Sequence, residues 1–284
     1  MGLTPDILEP VVRAALAEDV GSGDVTTDSV VPADARCRAT LELEEPGVVC
    51  GVPAVRAVFE ALDPGVTVDV LRDEGARIAE APAAVARIEG PARAVLTGER
   101  TALNLFGRLC GIATLTARYV DLVQGTGAEI LDTRKTLPGW RVLDKYAVAV
   151  GGGTNHRTGL YDALLIKDNP VAAAGGVGAA VKAARAAAPP HLLLQVEVES
   201  EEQAAEAIEA GARWLLLDNR SPAELRRLAE RFGRQAVLEA SGGITLANVR
   251  EIAETGVQRI SIGALTHSAP NADVALEVRA RGRG

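Results

Sequence analysis

From about Ala128 onward the chain repeats one pattern: a short apolar run, a polar or glycine residue, then a stretch with helical spacing. The runs are AEILDTRK, DALLIKDN, LLLQVEVES, RWLLLDN, QAVLEASGG and QRISIGA. They are short and nearly continuous in apolar character, which predicts buried parallel strands. Between them Glu201–Ala210, Pro222–Phe232 and Thr245–Thr255 show helical periodicity, giving a βα rhythm. The expected fold is α/β, an incomplete (β/α) TIM-like barrel. Such barrels place their working groups at the carboxyl ends of strands. Here those ends carry Arg134, Lys135, Lys167, Glu197, Asp218, Ser241 and Gly263.

The first hundred residues have another pattern. A helix is predicted from about Pro5 to Glu18, then extended segments around Arg36–Val49, Val66–Leu71 and Ala84–Glu89, which together suggest a smaller N-terminal α+β domain. Apolar residues at helical spacing in Thr97–Val123 predict a helix bridging the two parts. Asp273–Val278 is expected to form a last helix, followed by ARGRG as a frayed tail. The expected division is 1–110, joined by 270–284, against a catalytic barrel domain at 111–269.

Composition narrows the function. The chain has 284 residues, 48% of them hydrophobic, enough for an ordinary core. A net charge of -8 with 3% aromatic residues argues against a nucleic-acid partner, which needs a basic face and stacking platforms. No apolar run approaches the ~20 residues of a membrane span, and MGLTPDILEPVVRAALAEDV is amphipathic and acidic rather than signal-like, so no membrane partner and a cytoplasmic location are expected. Cys37, Cys50 and Cys110 have neither CxxC spacing nor an adjacent histidine and are expected as buried thiols.

Against this acidic background, Asp132–Asn169 gathers three of the four lysines with arginines, a triple glycine and a His-Arg pair. That concentration points to a pocket for a polyanionic small molecule. Arg134 and Lys135 follow a strand directly, flanked by the hydroxyls of Thr133 and Thr136; an arginine fork suits a carboxylate and a lysine suits phosphate. Gly151–Gly153 could bring backbone N–H groups to an anion or make a tight turn. His156 and His267 are each compatible with a ligand contact or a structural role. Lys167 ends an apolar run as a phosphate clamp, a Schiff-base amine or a snorkelling surface lysine. Glu197 and Asp218 could hold Mg²⁺ through waters, bind ribose hydroxyls, stabilise a developing cation or pair with the rim's own cations, and Glu199 competes with Glu197. Ser241-Gly242-Gly243 and Gly263-Ala264-Leu265-Thr266 stand where barrels bind phosphate. Neither GxxxxGK[ST] nor a strand-linked GxGxxG occurs.

The ordered motifs TRKTLPGWRVLDKYAVAVGGGTNHRTGLYDALLIKDN, QVEVES, LLLDN, EASGGI and ISIGALTHSAP, with EDVGSGDVTTD and GERTALN near the front, closely resemble the quinolinate phosphoribosyltransferases. The resemblance spans nearly the whole chain. It implies conversion of quinolinate and phosphoribosyl pyrophosphate, with Mg²⁺, to nicotinate mononucleotide, CO₂ and pyrophosphate in NAD biosynthesis. It also implies that Arg134, His156, Arg157 and Lys167, beside Thr133, receive the two carboxylates, with Lys135 between them and the phosphoribosyl donor. Lys135, Glu197 and Asp218 are the implied catalytic residues, the acidic pair lying near the ribose and Mg²⁺-pyrophosphate. Ser241, Gly242, Gly243, Gly263 and His267 fall in the implied phosphate loops. Arg100 is implied to reach a neighbouring subunit's site, which makes the expected active form a homodimer or larger. Two departures stand out: Pro170 replaces a more usual histidine, and NADVAL follows THSAP instead of a more apolar LD-containing form. A nicotinate-specific relative, a Schiff-base barrel aldolase and a non-catalytic sugar-phosphate binder are the competing classes.

Overall fold

The computed structural model describes residues 2–280; the tail expected after Ala280 lies outside the described residues. In chain order the elements are α1 (Pro5–Asp19), α2 (Val25–Val30), β1 (Arg36–Leu43), β2 (Gly47–Val48), α3 (Val52–Leu62), β3 (Thr67–Val70), β4 (Arg77–Ile78), β5 (Ala83–Pro91) and α4 (Ala92–Leu122). These are followed by β6 (Glu129–Leu131), α5 (Arg141–Val150), β7 (Ala163–Ile166), α6 (Asp168–Ala174), α7 (Val177–Ala187), β8 (Leu193–Glu197) and α8 (Glu201–Glu209). The last are β9 (Trp214–Asp218), α9 (Pro222–Phe232), β10 (Val237–Ser241), α10 (Val249–Ala253), β11 (Arg259–Ser261), α11 (Ala264–His267) and β12 (Val274–Ala280). No helix among the described residues is long and apolar enough to cross a membrane. The chain divides into two compact units, one containing residues up to Ala117, Thr136–Gly152 and Thr266 onward, the other Arg118–Lys135 and Gly153–Leu265.

The first unit is α+β, with an antiparallel sheet in the order β12-β1-β5-β3. Alternation along β1 sends Cys37, Ala39, Leu41 and Leu43 to one buried face. Each large side chain so removed from water contributes about 1.5–3 kcal/mol. Val55, Val58 and Phe59 of α3 are also fully buried. The C-terminal segment overturns the helix expected at Asp273–Val278. It forms β12, antiparallel to β1, with Val274 opposite Leu43, Leu276 opposite Leu41 and Val278 opposite Ala39. The run V-A-L-E-V-R alternates with period two, and pairing satisfies backbone groups of β1 that an open edge would leave exposed.

Three polar devices hold this unit together. The Glu74 carboxylate accepts from the amides of Gly51 and Val52 at the start of α3, and the Tyr146 hydroxyl of α5 donates to it at 2.7 Å. Arg108 of α4 makes a two-pronged ion pair with Asp144 of α5 at 2.9 and 2.8 Å, and also donates to the Thr266 carbonyl. In the EDVGSGDVTTD segment, Asp24 caps α2 through the Thr27 amide and accepts from the Thr97 hydroxyl. Cys37, Cys50 and Cys110 are buried free thiols, as expected. Burial raises the pKa of all three.

The second unit is α/β. Its six strands are parallel in the order β6-β11-β10-β9-β8-β7, and all six runs predicted as strands are found there. The first strand of the unit pairs with the last, while Thr154 forms a parallel bridge to Leu131 of β6. Ser200 caps α8, and α9 opens with a reciprocal capping box between Ser221 and Glu224, so polar residues directly after strands start the return helices. Pro170 lies in the first turn of α6, where its missing N–H removes no helical bond.

Candidate active site

Strand alternation sends alternate polar residues of the second unit to one face. Along β8, Gln195 and Glu197 share a face; along β10, Glu239 and Ser241 do. Ser241 is level with Asp218 of β9, and Glu197 is level with Leu216, two residues short of Asp218. Glu197, Asp218 and Ser241 each close their strand at its carboxyl end. Gln195 and Glu239, both almost completely buried, stand two residues earlier on their own strands.

The rim brings several candidates together. Lys167, directly after β7, places its Nζ 2.9 Å from Glu197 Oε2. This is an ion pair, not the apolar pocket that a Schiff-base lysine needs. Arg134 and Arg157 are both half-buried. Burial, followed by the repulsion of Arg134, lowers the pKa of Arg157, and Asp162 opposes both. Arg157 also donates to the Ala163 carbonyl at 3.3 Å. The mutual repulsion of Arg134 and Arg157 favours an incoming anion. Lys135 is exposed, and its amide donates to the Thr133 hydroxyl. Glu199 lies beyond the end of β8 and is exposed.

Asn219 organises the loop beyond β9. It has φ 52°, its amide donates to the Ser241 carbonyl at 2.8 Å, and its side-chain nitrogen donates to Asp218 Oδ2 at 2.8 Å. Gly242, at φ 88°, packs so closely that an added Cβ would stand 2.2 Å from Asn219 Oδ1. The candidate phosphate loop is thus built against the loop that carries Asp218. Gly243 also has a positive φ, 63°, but open space around it.

Arg100, exposed on α4, and His267, whose Nδ1 is 2.6 Å from the Ser268 hydroxyl, belong to the first unit. Lys145 does too, fully buried in α5, so only two of the three clustered lysines occupy strand ends. Gly151 and Gly152 make a turn: a Cβ on Gly151 would meet the Ala113 carbonyl at 2.4 Å, and Gly152 has φ 90°.

His156 has protein partners at both ring nitrogens. Its Nδ1 accepts from the Arg157 amide at 2.7 Å, and its Nε2 faces Gln195 Oε1 at 3.0 Å, with Glu239 Oε1 at 3.5 Å. Its own amide donates to the fully buried Asp132 at 2.8 Å. Gln195 Nε2 donates to Glu239 Oε2 at 2.9 Å. Burial would raise the pKa of Glu239, but the hydrogen bond and electrostatic attraction of His156, with hydrogen bonds from Gln195 and Ser261, outweigh it and hold the carboxyl below the usual glutamate range. Asp132, Gln195, Asn219 and Glu239 were not singled out from sequence. The available signal was a polar residue inside an apolar run, Gln in LLLQVEVES and Glu in QAVLEASGG.

Two family models cover the chain: Quinolinate phosphoribosyl transferase, N-terminal domain, over residues 24–110, and its C-terminal domain over residues 112–277. The chain belongs to this family. It is 44% identical over 282 residues to the nicotinate-nucleotide pyrophosphorylase [carboxylating] of Mycobacterium leprae, covering 96% of this chain and 98% of that protein. It is 41% identical over 271 residues to the probable nicotinate-nucleotide pyrophosphorylase [carboxylating] of Bacillus subtilis, covering 95% and 93%. The crystal structure of NadC from Streptococcus pyogenes superposes with a TM-score of 0.95 at 36% identity over 99% of each chain. The family membership expected from the motifs is therefore confirmed across both units.

Proposed function

We propose that this chain performs its family's reaction with the strand-end residues of the second unit as its working groups. It is a phosphoribosyltransferase of NAD biosynthesis: quinolinate and phosphoribosyl pyrophosphate become nicotinate mononucleotide, CO₂ and pyrophosphate. The observation that supports the site assignment is the 2.9 Å pairing of Lys167 with Glu197 at the carboxyl ends of β7 and β8.

The chemistry needs both signs of charge. As pyrophosphate leaves ribose C1, positive charge builds on the sugar and negative charge on the leaving group. Glu197 and Asp218 face the developing sugar cation. Arg134, Arg157 and Lys167, with Thr133, form the group that receives the two carboxylates, His156 supports them from the adjacent position, and Lys135 stands between acceptor and donor. Alignment matters most, because the ring nitrogen itself attacks C1 and no covalent enzyme intermediate is required. The pyridinium then accepts the electrons left by the departing carboxylate. Ser241, Gly242, Gly243, Gly263 and His267 serve the phosphates.

No cluster of three or more His, Cys, Asp or Glu side chains suited to a metal occurs among the described residues. The two rim carboxylates nonetheless suit Mg²⁺, which keeps several waters and binds through one or two carboxylates plus substrate phosphates. Glu197 and Asp218 would hold it through water, and bound there it would neutralise the pyrophosphate. The sheet is read as an incomplete TIM-like barrel, supported by the pairing of β6 with β11 and the Thr154 bridge at the outer edge of β6. The functional division is 1–110 with 270–284 against 111–269, supported by family models that meet between residues 110 and 112. A cytoplasmic homodimer, in which Arg100 completes the neighbour's site, belongs to the same reading.

The test is an assay of purified protein with phosphoribosyl pyrophosphate, Mg²⁺ and either quinolinate or nicotinate. Nicotinate mononucleotide from quinolinate alone is the expected result. Product from nicotinate alone would overturn the assignment to the diacid.

A further inference from the structure

Beneath the candidate site lies a hydrogen-bond chain whose two ends have fixed chemical sense. At one end the Arg157 amide N–H can only donate; at the other the Glu239 carboxylate can only accept. The links are Arg157 N–H to His156 Nδ1, His156 Nε2–H to Gln195 Oε1, and Gln195 Nε2–H to Glu239 Oε2, at 2.7, 3.0 and 2.9 Å. Fixed ends leave one arrangement for the middle: His156 is a neutral imidazole with its proton on Nε2, and the Gln195 carbonyl faces it. Glu239 Oε1 lies 3.5 Å from the same Nε2, so a second oxygen faces that nitrogen, in keeping with a proton on it. The His156 main chain is tied separately to Asp132, which immediately precedes Thr133 and Arg134. The ring is thus clamped from below, while its Nδ1 holds the backbone turn from which Arg157 projects.

We propose that Glu239, acting through Gln195 and His156, is a positioning residue for Arg157, and that the His156 ring serves the diacid by holding that arginine rather than by offering a ring nitrogen to a carboxylate. This rests on the family's reaction for its kinetic consequence but not for its structural content. Two cations set beside one another repel, so their pose requires restraint from outside the pair. A rigid buried chain ending on a carboxylate provides it. Glutamine at position 239 would convert one carboxylate oxygen into a donor. Whichever way the amide turned, a donor would then oppose Gln195 Nε2–H or His156 Nε2–H, and the single arrangement would be lost.

The experiment combines a spectroscopic and a kinetic reading. With only three histidines, His156, His191 and His267, the imidazole ¹⁵N signals are assignable by single replacement of the other two. Ligand-free wild-type protein should show His156 protonated at Nε2 and bare at Nδ1; a bare Nε2 with a protonated Nδ1 overturns the proposal irrespective of any activity. Glu239→Gln should shift or split that signal and raise the KM for quinolinate by roughly 10–100-fold, with kcat at saturation and the KM for phosphoribosyl pyrophosphate changing by less than about threefold. The exchanged variant Gln195→Glu/Glu239→Gln returns an acceptor to His156 Nε2 and should restore both readings. An unchanged quinolinate KM in a folded Glu239→Gln protein, or equal damage to kcat and both KM values without rescue, overturns it. Should Glu239→Gln fail to fold, the wild-type tautomer and the exchanged variant still decide. Absence of turnover by the wild-type protein would instead count against the reaction assigned above.

Discussion

Lys167 and Glu197 face one another across the ends of β7 and β8 as a 2.9 Å ion pair, the lysine half-exposed and the glutamate largely shielded. A pair so open to solvent contributes about 0–1 kcal/mol to folding. Its interest is functional, because an anionic substrate would compete with Glu197 for the lysine.

Lys167→Met should therefore leave the thermal midpoint within about 4 °C of wild type while lowering kcat/KM for quinolinate by at least ~100-fold. Calorimetry and steady-state kinetics on the same preparation check both halves. Activity near the wild-type level would remove Lys167 from the anion site.

Arg108 and Asp144 make a contrasting pair. Asp144 is fully buried, and burial outweighs the hydrogen bonds and charge of Arg108, so its pKa is raised. A raised folded pKa means that ionisation costs stability at neutral pH, a cost relieved as pH falls through the folded value. Arg108→Met alone should lose about 3–5 kcal/mol because it strands the buried carboxylate, whereas Arg108→Met/Asp144→Leu should recover most of that loss. Denaturant unfolding at neutral pH measures both, and a double variant no better than the single would refute the account.

Glu239 shifts the other way. Its folded pKa lies below the unfolded glutamate value near 4.3, so its contribution is complete above that value and disappears as pH falls through the folded one. The stability gap between wild type and Glu239→Gln should consequently be full at neutral pH and narrow below about pH 4. Urea titrations across that range test this, and a gap independent of pH would show that the charge is not what stabilises.

Gly242→Ala and Gly243→Ala separate strain from contact. Both positions have positive φ, costing of order 1 kcal/mol with a side chain, but only at Gly242 does the new Cβ strike Asn219. Gly242→Ala should raise the KM for phosphoribosyl pyrophosphate more than Gly243→Ala does, and Asn219→Gly should relieve part of the defect. Equal effects in both alanine variants would sever the link between the two loops.

Arg100→Ala should abolish most activity, and mixing it with Lys135→Ala subunits should restore a fraction in hybrid dimers. Subunit exchange followed by the quinolinate assay reads this out. No recovery in verified hybrids would count against a site shared between subunits.

The rim was legible because polar residues terminate apolar runs. Lys167, Glu197, Asp218 and Ser241 each stand at or directly beyond the end of a strand, so strand prediction alone located them. The buried polar groups were less visible, since Gln195 and Glu239 interrupt their strands by one residue each and nothing local says that they meet. Lys145 was misleading for a related reason: proximity in sequence to Lys135 does not keep it in the same unit. At Asp273–Val278 the short run suited either period, and its pairing with β1 decided for strand.

By itself the sequence determined the βα rhythm of the second unit, the polar character of its strand ends and the family, since period, turn chemistry and motif order are local and survive without coordinates. Tertiary structure alone decided which buried polar groups meet, which lysine leaves the cluster for the core, and which partners face the His156 ring. Those depend on register between strands remote in sequence and on the pull of buried polar groups toward hydrogen-bond partners, which only the assembled sheet brings together.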